Sequence, residues 1–193
     1  MGMLATLGRT LGFSFAAGIN LYATVAILGL AARYDWVALP PQYDIFDNDI
    51  VIIAAIVLYA IEFLADKIPW VDSIWDGIHT VIRPIGGALI AVSTLGEATP
   101  TLQGLMALGG GLVAASTHLT KAGTRAAANA SPEPFSNWIL SLAEDVFVVG
   151  LAFIALRWPV TALVVTVTLL VVIAWSATAI VRALRRRWRA RPA

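Results

Sequence analysis

Residues 160–181 read VTALVVTVTLLVVIAWSATAIV, and residues 182–189 directly after them read RALRRRWR. As a helix rising about 1.5 Å per residue, the first stretch is roughly 33 Å long and carries no charge, which matches the hydrocarbon core of a bilayer. Lys and Arg in short segments beside a span are retained in the cytoplasm. The pair of stretches therefore predicts a spanning helix with a cytoplasmic end. The rest of the chain follows suit: of 193 residues, 59% are hydrophobic and 13% charged. Soluble domains carry about 25% charge. The spans use up the length, so a separate soluble catalytic or receptor domain is excluded. The absence of cysteine removes disulfides, thiolate metal sites, Fe–S clusters and cysteine nucleophiles together.

Working outward, apolar runs at Leu4 to Ala32, Ile50 to Ala65, Pro84 to Leu95, Leu102 to Thr120 and Phe135 to Leu156 join Val160 to Val181 as span candidates. The run at 84–95 is too short to cross alone, so it either borrows residues 71–82 or forms a re-entrant or interfacial element near 70–95. The first run is long for a signal-peptide core and precedes no clear cleavage site, so it is expected to stay with the chain. The expected architecture is all-α: a polytopic membrane helical bundle of about six transmembrane helices. It forms a single transmembrane domain over residues 1–181, with a basic cytoplasmic tail at 182–193. Three spans per half would make halves 1–95 and 96–181 inverted repeats. Ala16 to Leu21 can be laid on Ala114 to Leu119 in support. Counting back from a cytoplasmic tail places Lys67, Arg83, Lys121 and Arg125 inside, leaves only Arg33 and Arg157 on the wrong side, and puts both termini in the cytoplasm. The arginine tail is read as a topology anchor that attracts anionic lipid heads, with no nucleic acid as partner.

Polar residues concentrate in two segments of the cytoplasmic side. Residues 62–84 read EFLADKIPWVDSIWDGIHTVIRP. After Glu62, Asp66 and Lys67, Pro69 stops the second span and Pro84 restarts a helix after Arg83, and between them Val71, Ile74, Trp75, Ile78 and Ile82 recur at helical spacing. Asp72, Asp76, His79 and Arg83 fall on the opposite face. Asp72, Asp76 and His79 are candidate metal ligands, as oxygen and nitrogen donors converging from one face. Alternatively the row neutralises itself, or simply meets water. Residues 118–138 read HLTKAGTRAAANASPEPFSNW. His118, Lys121 and Arg125 share a helix face, Asn129 caps that helix, and Ser131-Pro132 opens the next. These cations form either an anion pocket or a topology anchor.

Buried polarity is sharper still. Glu144 and Asp145 lie about 18 Å into a span that starts near Pro132, close to the midplane. Asn137, Ser141 and Glu144 form a stripe at intervals of four and three, so Glu144 is expected to face the protein interior. In the first run, Gly18 and Asn20 interrupt almost thirty apolar residues. The reading there is close helix packing, or a break of the kind seen in discontinuous transporter helices.

The blocks Gly18 to Thr24, Ala65 to Pro69 with Asp72 and Trp75-Asp76, and Lys121 to Arg125 with Asn129 and Ser131 to Pro134 resemble a family of small bacterial integral membrane proteins classed as a domain of unknown function. The likeness runs over roughly residues 10 to 155. It implies a multi-pass protein of the bacterial inner membrane and adds no activity.

The function expected from these residues is a transporter or channel. It would move a cation or a proton-coupled small solute along a path drawn from Asn20, Glu62, Asp66, Lys67, Asp72, Asp76, His79, Arg83, His118, Lys121, Arg125, Asn137, Ser141, Glu144 and Asp145. Six of these are carboxylates and four are Lys or Arg, a balance that leans toward cations. No cofactor is called for, and the partners are the bilayer, the transported solute or ion, and a second copy of the chain in a homo-oligomer. Two other classes stand beside this one. One is an intramembrane metal-dependent enzyme acting on a lipid phosphate, with carboxylates on the metal and Lys121 and Arg125 on phosphate. The other is a structural or assembly subunit, in which every buried charge finds a partner and no cavity exists.

Overall fold

A computed structural model describes residues 2–130 and 135–189. Seven α-helices account for most of them: α1 (Met3–Ile19), α2 (Leu21–Arg33), α3 (Asp49–Ala65), α4 (Pro69–Leu95), α5 (Pro100–Asn129), α6 (Phe135–Arg157) and α7 (Pro159–Arg189). A 3-10 turn at Pro41–Phe46 packs between α2 and α4. The expected all-α bundle is what the chain forms. By length and composition, Pro69–Leu95, Phe135–Arg157 and Pro159–Ala183 are apolar and long enough to cross a membrane. The weak run at 84–95 does borrow the residues before it: α4 is continuous through Pro84. Residues 131–134, where Ser131-Pro132 is expected to open the next helix, lie outside the described residues.

The bundle is turned inside out relative to a soluble protein. On α4, Ile74 and Ile78 are 58% and 54% exposed, whereas Asp72 and Arg83 are both 0% exposed. The polar row of this helix does not meet water; it is the buried face, and the aliphatic row looks outward. α3 repeats the pattern, with Leu64 exposed and Glu62 buried, as does α6, with Val146 exposed and Asn137 buried. Apolar side chains facing outward around a charged interior are what a hydrocarbon solvent selects.

The first apolar run does not pass straight through: the break that was one of its two readings falls at Asn20. Asn20 adopts an extended backbone (φ −145°, ψ 100°) that ends α1, and its side chain caps α2 by accepting from the Ala23 amide at 2.9 Å. The chain then doubles back. At its start, α1 lies by the ends of other helices: Arg9 donates to the Leu156 carbonyl, Thr94 donates to Thr10, and Gly8 presses on the Pro159 carbonyl. At its finish, the Ile19 carbonyl accepts from Lys121, in the second half of α5. α2 returns along α4 and α3: Leu21 lies against Gly86, Gly29 against Phe46 and Ile52, and Arg33 pairs with Asp47 and Asp49. Phe13 and Leu28, from the two arms, share one apolar cluster with Tyr43 and Phe46. Residues 3–33 are therefore a helical hairpin with its tip at Asn20. Residue 3 and the end of α7 lie at opposite ends of the bundle. One extended residue, held by its own side chain, breaks an apolar run that is long enough to cross.

Small residues let α1 occupy the centre. Gly18 leaves no room for a side chain against Ala114 and Thr117 of α5, and Gly110 is similarly tight against Ala91 and Gly87. Ala16, Ala17 and Phe13 are wholly buried.

Candidate functional site

The hairpin tip ends on a charged cluster that runs from the middle of the bundle to the end where α3 gives way to α4 and α5 finishes. α3 contributes Glu62 near its end, with Asp66 just after it, and the first half of α4 contributes Asp72, Asp76, His79 and Arg83. The second half of α5 brings His118, Lys121 and Arg125, and the first half of α6 brings Asn137, Ser141, Glu144 and Asp145. Every residue expected from the sequence to line a path is in this one cluster, including Asn20 and Lys67.

Three cations hold it together. Arg83 Nη2 donates to Glu62 Oε1 at 2.7 Å, and its Nη1 lies 3.4 Å from Asp76 Oδ1. Lys121 Nζ lies 3.3 Å from Glu62 Oε1, 3.4 Å from Asp66 Oδ2 and 3.7 Å from Glu144 Oε2. It also donates to the last carbonyl of α1, where the helix dipole presents its negative end. Arg125 approaches Asp66 at 2.6 Å, Asp72 at 3.4 Å and Glu144 at 3.3 Å, and donates to the Asn137 side-chain and backbone oxygens. Lys67, in the turn after α3, donates to Ser141 at 2.7 Å and to the Phe63 carbonyl. Burial holds this ammonium below the usual lysine range, against the pull of Asp145 and Asp66.

The histidines have fixed roles. Arg83 can only donate, so His118 Nδ1 accepts from it at 2.8 Å and Nε2 carries the proton that faces Thr80. His79 Nδ1 lies 2.7 Å from the Trp75 carbonyl and must donate, leaving Nε2 to accept from Tyr22 at 2.9 Å. Both nitrogens of each ring are thus engaged. Asp72, Asp76 and His79 accordingly do not assemble as metal ligands: Asp76 turns to Arg83, Asp72 to Arg125 and Asn129. Among the described residues, no three His, Asp or Glu side chains are placed to hold a metal ion.

Glu144 and Asp145 divide the work differently from the expected stripe. The buried row on α6 is Asn137, Ser141, Asp145 and Val148, at intervals of four, four and three. Glu144, beside that row, is the carboxylate that binds Lys121 and Arg125. Asp145 instead accepts from Asn20 Nδ2 at 3.2 Å, at the hairpin tip and about 15 Å along α6. Its second oxygen is buried without a hydrogen-bond partner, as are Glu62 Oε2 and Asp66 Oδ1.

A cavity of about 240 Å³ opens between α4 and α5, lined by Asp72, Asp76, Thr80, Arg125 and Asn129. It stops at Arg125, whose far side touches Glu144; neither Glu144 nor Asp145 lines it. Sequence reasoning passed over Tyr22, Thr80 and Asn129 as site residues. Asn129, which donates to Asp72 at 2.7 Å, carried a signal: it extends the His118, Lys121 and Arg125 row by one more interval of four. Tyr22 and Thr80 carried none beyond their neighbourhood.

The fold and the cluster together define a class, that of a helical membrane protein with a charged interior and a hairpin that ends within it. Residues 7–179 match the family described as a domain of unknown function, DUF4126. The chain belongs to that family, and the match reaches nearly to the arginine tail, beyond the span of 10 to 155 on which the resemblance rested. No curated protein and no solved structure matches it.

Proposed function

We propose that the protein is a small transporter of the bacterial cytoplasmic membrane that moves a cation or a proton-coupled small solute. In this reading α3 to α7 cross the bilayer and the α1–α2 hairpin enters and leaves on one side. The end that carries Lys67, Asn129 and the arginine tail faces the cytoplasm, since most of the basic residues lie there. The solute enters the cavity beside Asp72 and Asp76, and Asp145 at the hairpin tip is the group that the moving charge reaches.

One observation carries the reading: six carboxylates share this interior with four cations, and Asp145 meets only an amide. Burying an acid at such depth costs about 2.5 to 3.5 kcal/mol on insertion scales, and Asp145 has no cation within ion-pair distance among the described residues to offset it. A cluster that served only to hold helices together would gain from neutrality and would need no cavity. The half of the hairpin away from the cluster is plugged by Phe13, Leu28 and Tyr43. That asymmetry suits a carrier caught open toward one side.

The test is proton flux in vesicles that trap a pH-sensitive dye, with the purified chain reconstituted and an imposed pH gradient. Wild-type protein should dissipate the gradient, and Asp145→Asn, which keeps shape but cannot ionise, should abolish this. Glu144→Gln should retain flux and lose stability. No flux through the wild type, or undiminished flux through Asp145→Asn and its double variant with Glu144→Gln, would refute proton coupling and leave the cluster as helix glue.

A further inference from the structure

Beyond its charge, the cavity between α4 and α5 has a hydrogen-bonding sense. Asp72 and Asp76, 0% and 5% exposed, line it together with Ser73, Thr80, Arg125 and Asn129. The donors on this wall are already engaged. Ser73 donates to the Pro69 carbonyl at 2.9 Å and Thr80 to the Asp76 carbonyl at 3.0 Å. The Asn129 amide nitrogen donates to Asp72 Oδ2 and to the Pro69 carbonyl. Arg125 has Asp66, Asp72 and Glu144 at ion-pair distance and donates to Asn137. What remains is acceptors. Asp72 Oδ1 and Asn129 Oδ1 are buried and accept no hydrogen bond, although Oδ1 of Asp72 lies 3.4 Å from Arg125. Asp76 meets Arg83 through Oδ1, and its Oδ2 accepts none among the described residues.

We propose that this cavity binds a small organic cation through a primary ammonium group, with its N–H donors on Asp72 Oδ1, Asp76 Oδ2 and Asn129 Oδ1 and its carbon against Gly77, Ala122 and Ala126. Such a cation is the solute of the transport reading, on which its passage across the membrane rests, though its binding does not. Other occupants fit less well. An anion finds no free donor and must compete with three carboxylates for Arg125. A neutral polyol leaves the interior's excess of buried carboxylates uncompensated. A divalent metal ion lacks its ligand set, since no three His, Asp or Glu side chains are placed to hold one among the described residues. An ammonium carries three hydrogens and no acceptor, which is the complement of this wall. At about 240 Å³ the cavity falls below the roughly 300 to 1,000 Å³ of pockets that take drug-sized molecules, so the carbon chain is short.

The experiment is calorimetric titration of the full chain in detergent with ethylammonium chloride, alongside uptake of labelled ethylammonium into vesicles that hold the same protein. Wild-type protein should bind ethylammonium, and should bind tetramethylammonium, which has the charge but no N–H, at least about tenfold more weakly. Asp76→Asn should weaken ethylammonium binding by a similar factor. Gly77→Leu and Ala126→Leu should do the same by filling the cavity from its two walls. A Cβ on Gly77 meets nothing within 4 Å and Ala126 is exposed, so both variants should keep the wild-type thermal midpoint. No binding of ethylammonium, equal affinity for tetramethylammonium, displacement by an equal concentration of sodium, or wild-type affinity in both filling variants would each overturn the proposal. Uptake separates it from the transport reading. Binding with neither uptake nor proton flux would uphold the ammonium site and refute transport, whereas proton flux through a wild-type protein that binds no ethylammonium would keep transport and remove the ammonium.

Discussion

Arg83 shows what a single side chain does in this interior. Its guanidinium is 0% exposed and reaches Glu62, Asp76 and His118 at once. Removing one partner of a buried pair leaves the other charge stranded, at a cost of about 3 to 5 kcal/mol. Arg83→Met should therefore lower stability by that amount in detergent unfolding measurements. Glu62→Gln should be milder, because its amide can still accept from Arg83 and Lys121. The double variant should be more stable than the sum of the two losses predicts, by about 0.5 to 3 kcal/mol; strict additivity would show that the pair is not coupled. Arg83→Lys should rescue only part of the loss, since an ammonium cannot present the planar fork that spans Glu62 and His118.

At the scale of elements, the hairpin depends on Asn20. Asn20→Ala loses a helix cap, worth about 1 kcal/mol, and strands an Asp145 oxygen that costs about 1 to 3 kcal/mol more. Asn20→Asp keeps the cap but sets a second carboxylate against Asp145, so it should destabilise at neutral pH and recover as the pair is protonated in acid. Thermal melts at the two pH values read the difference directly. Helix contact gives a second comparison. Gly110→Ala drives a methyl into Ala91 and the Gly87 backbone and should destabilise, whereas Gly150→Ala meets nothing and should be neutral or gain up to about 1 kcal/mol of helix propensity. These elements were unequally legible in the sequence. The Asp72, Asp76, His79 and Arg83 row announces one helix face by its spacing, whereas Pro84, read as restarting a helix, lies inside α4. Spacing cannot say which face is buried, because hydrocarbon and water reverse the answer. The turn at Asn20 was visible only as an interruption; its direction is set by Lys121, Asp145 and Pro159, more than a hundred residues away. The same limit applied at 144 and 145, where adjacent positions differ only by which helix stands opposite each.

For the whole molecule, opposite ends for the two termini make a prediction that the lack of cysteine makes simple to check. Single cysteines introduced at Gly2 and at Ala183 should react with a membrane-impermeant thiol reagent from opposite sides of sealed vesicles. Labelling from the same side would restore six crossings and remove the hairpin. If the hairpin stands, it also sets the order in which the protein can be made. Its two helices are synthesised before α5, α6 and α7, which seat them. Until Lys121 reaches the Ile19 carbonyl and Asp145 meets the Asn20 amide, the tip keeps only its own local bonds, and each polar group left unsatisfied in hydrocarbon costs several kcal/mol. A nascent chain stopped after residue 130 should therefore leave residues 1–33 open to protease in isolated membranes, whereas the completed chain protects them. The hairpin finds its place only when helices made well after it arrive.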